Sequence, residues 1–504
     1  MIIPAAEILA LACIALPLLC AGLIALVGKR PDLRETITLG VGVLVFACIL
    51  GIHAEVAQGA RPQLILAHFL PGIDFALEVE PLGLIFALVA GFLWPVTTLY
   101  SIGYMRAHNE PNQTRFYACF ALSIACAMGV AFAANLITLF FFYELLTLAT
   151  WPLVTHAGTP EARRAGRLYL LILLSTSIVF QLLAIAWTWQ AAGSVDFRLG
   201  GILEGRLSHG IAIALFCLFA FGIGKAALMP FHLWLPAAMV APTPVSALLH
   251  AVAVVKAGVF TLLKVAVYIF GPDFLMDSGG GRIIAFVAGF TIVVASVVAI
   301  YKDNLKARLA WSTISHLSYV ILGACLATAW GVAGAALHIV MHAFGKITLF
   351  FCAGAVLVVT HRKRIGELDG LGRRMPLTMG AFAIGSLCII GLPPLGGMWS
   401  KWSLALATVH AEQWLLLAAL LLSSMLSMAY LMVIPVRAFL YPPAPAESNG
   451  SKDGSPAAGG ARSITEAPTA CLAAIGITSI GCVALFVFPD PFFNLIDQVV
   501  PLHR

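Results

Sequence analysis

The stretch FGIGKAALMPFHLWLP, residues 221–236, decides the class of fold. Its apolar residues favour a helix, but Lys225 lies inside the apolar run, and Pro230 and Pro236 follow it. Each proline removes a backbone donor and breaks a helix. A lysine at the centre of a bilayer costs about 3 kcal/mol, so it needs a partner or a water-filled path. The stretch therefore predicts a discontinuous helix with a buried charge inside a membrane.

The composition of the whole chain agrees with a membrane location. Of 504 residues, 61% are hydrophobic and 10% are charged, and the mean hydropathy is +0.99. A soluble domain carries about 25% charged residues, so this chain lacks the residues for a water-facing surface. The small net charge of +6 argues for membrane topology and against a nucleic-acid partner.

Apolar segments along the chain predict an all-α polytopic membrane protein with about 14 transmembrane helices, because a span needs about 20 apolar residues. The predicted spans, numbered 1 to 14, are residues 4–27, 35–53, 81–104, 115–134, 136–156, 165–190, 211–229, 243–270, 283–301, 309–327, 332–360, 377–409, 413–440 and 468–488. The segment 54–80 predicts a hairpin outside the membrane, and the Pro/Gly/Ser-rich segment 441–466 predicts a flexible linker.

The basic residues predict the orientation of the spans. Of the 29 lysine and arginine residues, nineteen fall in loops after odd-numbered spans, five fall on the opposite side, and five lysines lie inside spans. Loops rich in Lys and Arg face the cytoplasm. We therefore expect a multi-pass protein of the bacterial inner (plasma) membrane with both termini outward.

Two broken spans predict an internal duplication. Span 12 contains GLPPLGGMWSKWSLALA, residues 391–407, in which a Pro/Gly cluster precedes Lys401, as span 7 combines Lys225 with prolines. Discontinuous helices in corresponding repeats indicate an ion site at the midplane. We predict two inverted five-helix repeats. The predicted units are spans 1–3 in residues 1–114, spans 4–8 in 115–270, spans 9–13 in 271–440, the linker 441–466 and the last helix in 467–504.

Buried titratable residues supply the candidate site. Glu144, in LITLFFFYELLTLATW at 136–151, is the one acidic residue deep in a span, and it invites a pairing with a buried lysine. In span 8, His250 and Lys256 lie about 9 Å apart along a helix, a distance that one or two waters bridge. Snorkelling to the membrane surface explains Lys264 near the end of that span.

Span 11 carries His338, His342 and Lys346 at i, i+4 and i+8, which form one stripe about 12 Å long. Imidazole titrates near neutral pH, so the stripe predicts a proton relay. Two alternatives are a metal site, which lacks a third ligand in this segment, and histidines bound structurally to carbonyl groups. His316 in span 10 is a weaker relay candidate.

Several motifs are absent from the sequence. It contains no P-loop, no GxGxxG in a strand–helix context, no CxxCxxC motif and no secure haem pair. We therefore expect no cofactor and no metal, and a driving force that comes from an ion gradient or a partner subunit.

The sequence resembles the antiporter-like membrane subunits of respiratory complex I and of Mrp-type multisubunit cation/proton antiporters. The resemblance covers essentially the whole chain. It is carried by FFYELLTLATWPLVTH (141–156), GKAALMPFHLWLPAAMVAPTPVSALLHAVAVVKAG (224–258), DNLKARLAWSTISHLSYV (303–320), LHIVMHAFGKITLFFCAGA (337–355) and GLPPLGGMWSKW (391–402).

The resemblance implies a role for four of the buried residues. Glu144 matches the family's glutamate, Lys225 the lysine that pairs with it, Lys256 the following lysine, and Lys401 the lysine that faces the exit path. It also implies fourteen helices, two inverted five-helix repeats, and a hydrated charged axis that moves protons when a neighbouring subunit perturbs the Glu–Lys pair.

The resemblance leaves two parent complexes open. Length and the WSKW lysine resemble the D subunit of Mrp-type antiporters, whereas SALLHAVAVVKAG, residues 246–258, resembles the A-type subunit or the largest complex I paralogue. The expected function is proton translocation in an Mrp-type antiporter. The alternative is a non-redox, proton-pumping subunit of an NADH or ferredoxin:quinone oxidoreductase, or of a membrane hydrogenase. The expected partners are other membrane subunits, lipid, protons and, as a second ion, Na⁺.

Overall fold

The structure is a computed structural model that describes residues 5–248, 252–442 and 464–502. The relay candidate His250 lies outside the described residues. Most of the predicted linker, residues 443–463, also lies outside them.

Eleven helices in the described ranges are long and apolar enough to cross a membrane. They match the predicted spans other than 7, 8 and 12. Their bounds are α1 Ala5–Leu26, α2 Pro31–Val56, α3 Pro81–Ala107, α4 Gln113–Ala131, α5 Leu136–Val154, α6 Pro160–Thr176 continued through a π turn into α7 Leu182–Ala192, α13 Gly280–Tyr301, α14 Leu305–Leu326, α15 Ala329–Thr360, α18 Trp414–Leu440 and α19 Thr469–Val487.

The remaining helices are shorter. They are α8 His209–Gly222, α9 Trp234–Ala237, α10 Thr243–Ala247, α11 Val254–Val265, α12 Pro272–Asp277, α16 Pro376–Ile390, α17 Gly397–His410 and α20 Asp490–Asp497. The predicted polytopic all-α fold is thus confirmed.

The interruptions fall where the sequence disfavours a continuous helix. In span 7, α8 ends at Gly222, and a 3₁₀ turn, Gly224–Ala226, follows before the prolines. In span 12, α16 ends at Ile390 and α17 begins at Gly397, on either side of the Pro/Gly cluster. In span 8 the described residues form α10, with Pro242 and Pro244 at its start, and α11, and residues 249–251 between them lie outside the described ranges.

The split between spans 4 and 5 at Asn135 is confirmed. Asn135 is the N-cap of α5, and its side chain accepts a hydrogen bond of 2.9 Å from the backbone N–H of Thr138. Its Nδ2 also donates to the carbonyl of Asp74 at 2.6 Å. The first backbone N–H groups of a helix have no partner within the helix, and Asn135 accepts a hydrogen bond from one of them. This cap divides an apolar run that hydropathy alone does not divide.

The most buried helices lie at the centre of the bundle. In α14, 94% of the membrane-length window is buried inside the protein, against 33% in α18, whose outer face is left for lipid. Helix α14 packs against both α13 and α15, and α15 packs against α16, α17 and α19. Side chains of α14 and α15 therefore face other helices on nearly every side.

A β-hairpin fills the predicted 54–80 segment. Strands β1, Gln63–Leu70, and β2, Ile73–Glu78, pair antiparallel. The backbone of β2 is tied to the turn between α4 and α5, because the N–H of Glu78 donates to the carbonyl of Phe132 at 2.7 Å. The hairpin therefore lies at the membrane face where α3 and α5 begin.

Candidate functional site

Lys225 lies at the point where the α8 helix stops. Its side chain is fully buried, and its Nζ donates to the main-chain carbonyl of Tyr143 at 2.7 Å and lies 3.2 Å from the Tyr143 ring centroid. The backbone N–H of Lys225 donates to the Tyr143 hydroxyl at 3.1 Å. The unwound segment is thus held against α5 by one tyrosine, which binds both the main chain and the side chain of Lys225.

Close packing by α11 fixes the other side of this turn. A Cβ at Gly258 would lie 2.4 Å from backbone atoms of Lys225 and Ala226. The carbonyl of Gly224, left without a helical partner, accepts a hydrogen bond of 3.0 Å from Trp234 Nε1. The backbone N–H of Lys225 and the carbonyl of Gly224, which the break in the helix leaves free, therefore both have hydrogen-bond partners.

Glu144 follows Tyr143 on α5, but the structure forms no direct Glu144–Lys225 pair. Both carboxylate oxygens of Glu144 are buried and have no hydrogen-bond partner among the described residues. The reason is geometric, because the Lys225 amine is occupied by the carbonyl of Tyr143, and successive helical side chains point about 100° apart. Glu144 remains near enough to Lys225 for a direct electrostatic interaction.

Lys256 and His342 are brought together from α11 and α15. Lys256 Nζ lies 2.8 Å from His342 Nδ1, and both side chains are buried. Because an ammonium group only donates, the imidazole nitrogen facing it is an acceptor when Lys256 is charged. A proton moving between these two groups needs no intervening water.

Three imidazole rings stack at the centre of α14 and α15. The three ring centroids form a triangle, 5.4 Å from His316 to each of the other two and 5.6 Å from His338 to His342. His316 Nδ1 is 3.2 Å from His338 Nε2, and His338 Nδ1 is 2.9 Å from Ser400 Oγ on α17. His316, the weaker candidate from the sequence, contacts both histidines of α15.

The stacked arrangement bears on the metal alternative. The ring of His316 lies 9° and 23° from parallel to those of His338 and His342. Among residues 5–248, 252–442 and 464–502, no group of three His, Cys, Asp or Glu side chains is arranged to hold a metal ion.

Lys346 departs from the predicted histidine stripe. Its Nζ donates to Ser312 Oγ at 2.5 Å, and Ser312 Oγ lies 2.8 Å from the Tyr430 hydroxyl. The stripe prediction places His338, His342 and Lys346 on one face of α15, but the partners differ. The histidines contact each other, whereas Lys346 faces hydroxyl groups of α14 and α18.

Lys401 lies one turn into α17, beyond the second interruption. Its Nζ donates to Ser424 Oγ at 2.8 Å and to the carbonyl of Ile390 at 3.0 Å, a group that the end of α16 leaves free. The amine lies 5.1 Å from the Tyr319 ring, which stacks on His316 and His338 at 5.0 and 5.2 Å. Tyr319 therefore separates Lys401 from the histidine stack by one aromatic ring.

Three findings go beyond the sequence predictions. Ser400, Ser424 and Tyr319 were not singled out, and a hydroxyl within an apolar span was the only signal for each. The snorkelling prediction for Lys264 is wrong, because this side chain is fully buried and its Nζ lies 3.3 Å from Glu80 Oε1. Among the described residues, no hydrogen bond joins Lys225 directly to Lys256.

The fold and this axis define a polytopic membrane protein with a buried chain of ionisable groups. Residues 133–427 match the family described as NADH:quinone oxidoreductase/Mrp antiporter, transmembrane region. The chain belongs to this family of antiporter-like membrane subunits, as its sequence resemblance predicted.

Individual relatives and one solved structure agree with this assignment. NADH-quinone oxidoreductase subunit N of Desulforudis audaxviator is 31% identical over 86% of this chain and 86% of that protein. NAD(P)H-quinone oxidoreductase chain 5 of Synechocystis sp. is 32% identical over 71% of this chain, which spans 53% of that protein. A chain of the Mrp complex from Dietzia sp. shares the fold, with a TM-score of 0.83 over 98% of this chain and 96% of its own length at 23% identity.

Proposed function

We propose that this chain is the proton-translocating subunit of a multisubunit Mrp-type monovalent cation/proton antiporter. The observation that carries the proposal is a series of contacts from Lys256 to Ser400. Lys256 lies 2.8 Å from His342, whose ring stacks with that of His316. His316 lies 3.2 Å from His338, which lies 2.9 Å from Ser400. Buried titratable groups that contact one another in this way are expected along a proton path.

Lys225 and Glu144 act at the start of this path. Lys225 exchanges a proton with Lys256 through water, and the charge of Glu144 sets how firmly Lys225 holds it. No described residue donates a hydrogen bond to the buried Glu144 carboxylate, and in this proposal it moves toward or away from the amine during transport. Lys401 passes the proton out of the membrane, and Lys346 and the unseen His250 assist through water.

A cavity bordered by charged groups lies on the face with the basic loops and is suited to hold water. It has a volume of about 470 Å³ and is lined by residues 240–242 together with His108, Glu110, Lys306 and His361. Burial raises the pKa of Glu110, so this loop carboxyl is protonated at higher pH than an exposed one. We assign this face to the cytoplasm, and both termini to the outside, on the basis of the nineteen basic loop residues.

The proposal includes the predicted organisation of the chain. Residues 115–270 and 271–440 are two inverted repeats, each with one interrupted helix and its lysine, after an N-terminal unit of residues 1–114. Helices α4 and α5 pack together, as do α13 and α14, which are the first two helices of each proposed repeat.

A second candidate function follows from the first relative. Its name is that of an NADH-quinone oxidoreductase subunit, and the two chains each cover 86% of the other. In such a complex the same residues would pump protons, with electron transfer in other subunits as the energy source.

One experiment tests the proposal and separates the two parents. Proton flux is measured in everted membrane vesicles that contain the assembled complex, with the wild-type chain and with Lys225→Ala. We expect fluorescence dequenching on addition of Na⁺ or K⁺ that is lost in the variant. Lys29→Ala, on an exposed loop, is the matched control and should transport normally.

The opposite result is equally informative. If cations have no effect but NADH-driven acidification falls in Lys225→Ala, the chain belongs to a redox pump and the antiporter assignment is wrong. Full activity of Lys225→Ala in both assays would contradict proton transfer through this lysine.

A further inference from the structure

A second buried ionic cluster lies at the hairpin end of the bundle, away from the histidine stack. Lys264 is on α11, eight residues after Lys256, and therefore about 12 Å further along the helix. Its Nζ lies 3.3 Å from Glu80 Oε1 and donates to the carbonyl of Ala133 at 2.7 Å. The side chain of Lys264 is fully buried, and that of Glu80 is 8% exposed.

Glu80 is held in place by donors from three helices and the chain around them. It is the N-cap of α3, and its carboxylate accepts hydrogen bonds from the backbone N–H groups of Leu82 at 2.7 Å and Gly83 at 2.8 Å. The Tyr268 hydroxyl donates to Glu80 Oε2 at 2.5 Å. With the Lys264 amine, four donors surround this carboxylate.

A cavity connects this cluster with the hairpin face. Its volume is about 180 Å³, enough for several water molecules at about 30 Å³ each. Glu80, Lys264 and Tyr268 line its buried side, and Glu78 of β2 and Arg61 line the opposite side. A polar cavity of this size, bordered by charged groups, is suited to hold water.

Glu78 differs from Glu80 in its surroundings. Its carboxylate accepts no hydrogen bond from any described residue, and it is half-buried at the cavity rim. Burial raises the pKa of Glu78, although the nearby Lys264 amine and Arg61 oppose the shift and Glu80 and Asp196 add to it. Arg61 is directed elsewhere, because its guanidinium donates to Gln498 Oε1 at 3.0 Å and to the carbonyl of Ala60 at 2.8 Å.

We propose that Lys264, Glu80 and Glu78 form a proton port that connects the buried relay with water on the hairpin side of the membrane. The port rests on the proposed proton translocation and adds a route that is separate from Lys401. A proton leaves the Lys264 ammonium, crosses the cavity through water and binds the Glu78 carboxylate, from which it passes to bulk water. Glu80, held in place by its four donors, stabilises the next proton that Lys264 receives from the Lys256 side.

A purely structural ion pair is the competing explanation, and paired substitutions separate the two. Removing one partner of a buried pair leaves an unpaired charge, whereas replacing both with neutral residues is often neutral for stability. The test set is Lys264→Met, Glu80→Gln and the double variant Glu80→Gln/Lys264→Gln, in the assembled complex in vesicles. Glu466→Gln is the matched control, because Glu466 also accepts hydrogen bonds from the first backbone N–H groups of a helix, α16, and no lysine among the described residues contacts its carboxylate.

The port predicts that Lys264→Met and the double variant both lose about a hundredfold or more of the proton flux, the range typical of a lost proton-transfer group. Glu466→Gln should transport like the wild type. If the double variant assembles and transports normally, the pair is structural and the port is wrong.

Lys256→Met separates failure of the port from failure of the proposed function. If Lys256→Met loses flux while the Lys264 and Glu80 variants retain it, the port is wrong and the central relay stands. If Lys256→Met also retains full flux, the proposed proton path fails, and the port fails with it.

Glu78→Gln tests the port even where the buried variants do not assemble. No described residue donates a hydrogen bond to this rim carboxylate, so its removal should not unfold the chain. In Glu78→Gln we expect the dependence of flux on the pH of the hairpin side to differ from that of the wild type. The dependence of flux on the pH of the opposite side, which carries the basic loops, should be the same as in the wild type. An unchanged profile on the hairpin side would overturn the port.

Discussion

The two interrupted helices hold their lysines by different chemistry. Lys225 lies in the interruption itself, fully buried, with its amine on the carbonyl of Tyr143 and the unpartnered carboxylate of Glu144 nearby. Lys401 lies one turn into the second half-helix, with its amine on the carbonyl of Ile390 and the hydroxyl of Ser424. Among the described residues, no carboxylate contacts the Lys401 amine.

This difference suggests that the two proposed repeats are not equivalent in function. An amine beside a carboxylate that can move experiences a changing electrostatic environment, whereas an amine bound by neutral oxygens experiences a constant one. We infer that the first repeat controls proton uptake and that the second provides a passive outlet. The predictions below test this asymmetry.

The largest expected effects come from the charged groups themselves. Glu144→Ala and Lys401→Ala should each reduce proton flux in vesicles by about a hundredfold or more, because each removes a group on the path. The assembled complex should remain intact on native gels. Glu161→Ala, an exposed carboxylate at the start of α6, is the control and should be active. Loss of assembly in both variants would instead support a structural role, and normal flux in Glu144→Ala would remove the asymmetry.

A smaller effect is expected from Ser424→Ala. A hydrogen bond to a charged group contributes about 1.5 kcal/mol, so loss of the Ser424 contact with Lys401 should lower flux about tenfold. Tyr143→Phe is the matched change in the first repeat. It should lower flux less than Ser424→Ala does, because the Lys225 amine keeps its main-chain carbonyl and only the backbone N–H of Lys225 loses the Tyr143 hydroxyl. Equal losses in the two variants would show that the amines are held alike.

The smallest effect concerns stability at the basic face of the second repeat. Arg437 Nε and a second guanidinium nitrogen donate to Asp369 at 2.6 and 2.9 Å, which holds the pKa of that carboxyl below its usual range. A lowered pKa in the folded state stabilises the protein above the ordinary aspartate pKa of about 3.9, and the gain is lost as pH falls through the folded-state value.

Asp369→Asn should therefore reduce the free energy of unfolding at neutral pH by about 1 kcal/mol. Thermal unfolding of the purified complex in detergent, measured from neutral to acidic pH, checks this expectation. The difference between variant and wild type should narrow toward acid. A difference that is constant across this range would show that the ion pair is not its cause.

Much of the fold could be predicted because the bilayer imposes simple rules on a sequence. The length of apolar segments located the eleven uninterrupted helices, and prolines and glycines located the interruptions next to Lys225 and Lys401. Both α10 and α11 lie inside predicted span 8, and residues 249–251 between them lie outside the described ranges.

The candidate site was predicted only in part, for a related reason. A charged residue within an apolar span is costly, so the sequence alone identifies the lysines and Glu144 as candidates, however the helices pack. Their partners were not marked, since a serine or tyrosine in an apolar span has little cost and little pattern. Ser312, Ser400, Ser424 and Tyr319 therefore emerged only when the helices were placed side by side.

The sequence by itself determined that this protein spans a membrane, where its helices break and which titratable groups lie among apolar residues, because each of these properties is local along the chain. Only the tertiary structure decided which groups meet. Lys256 and His342 are 86 residues apart in sequence, yet 2.8 Å separates their nitrogens, and Lys264 contacts Glu80 at the start of α3. Such pairings depend on helix rotation and packing, which side-chain volumes across many helices set together.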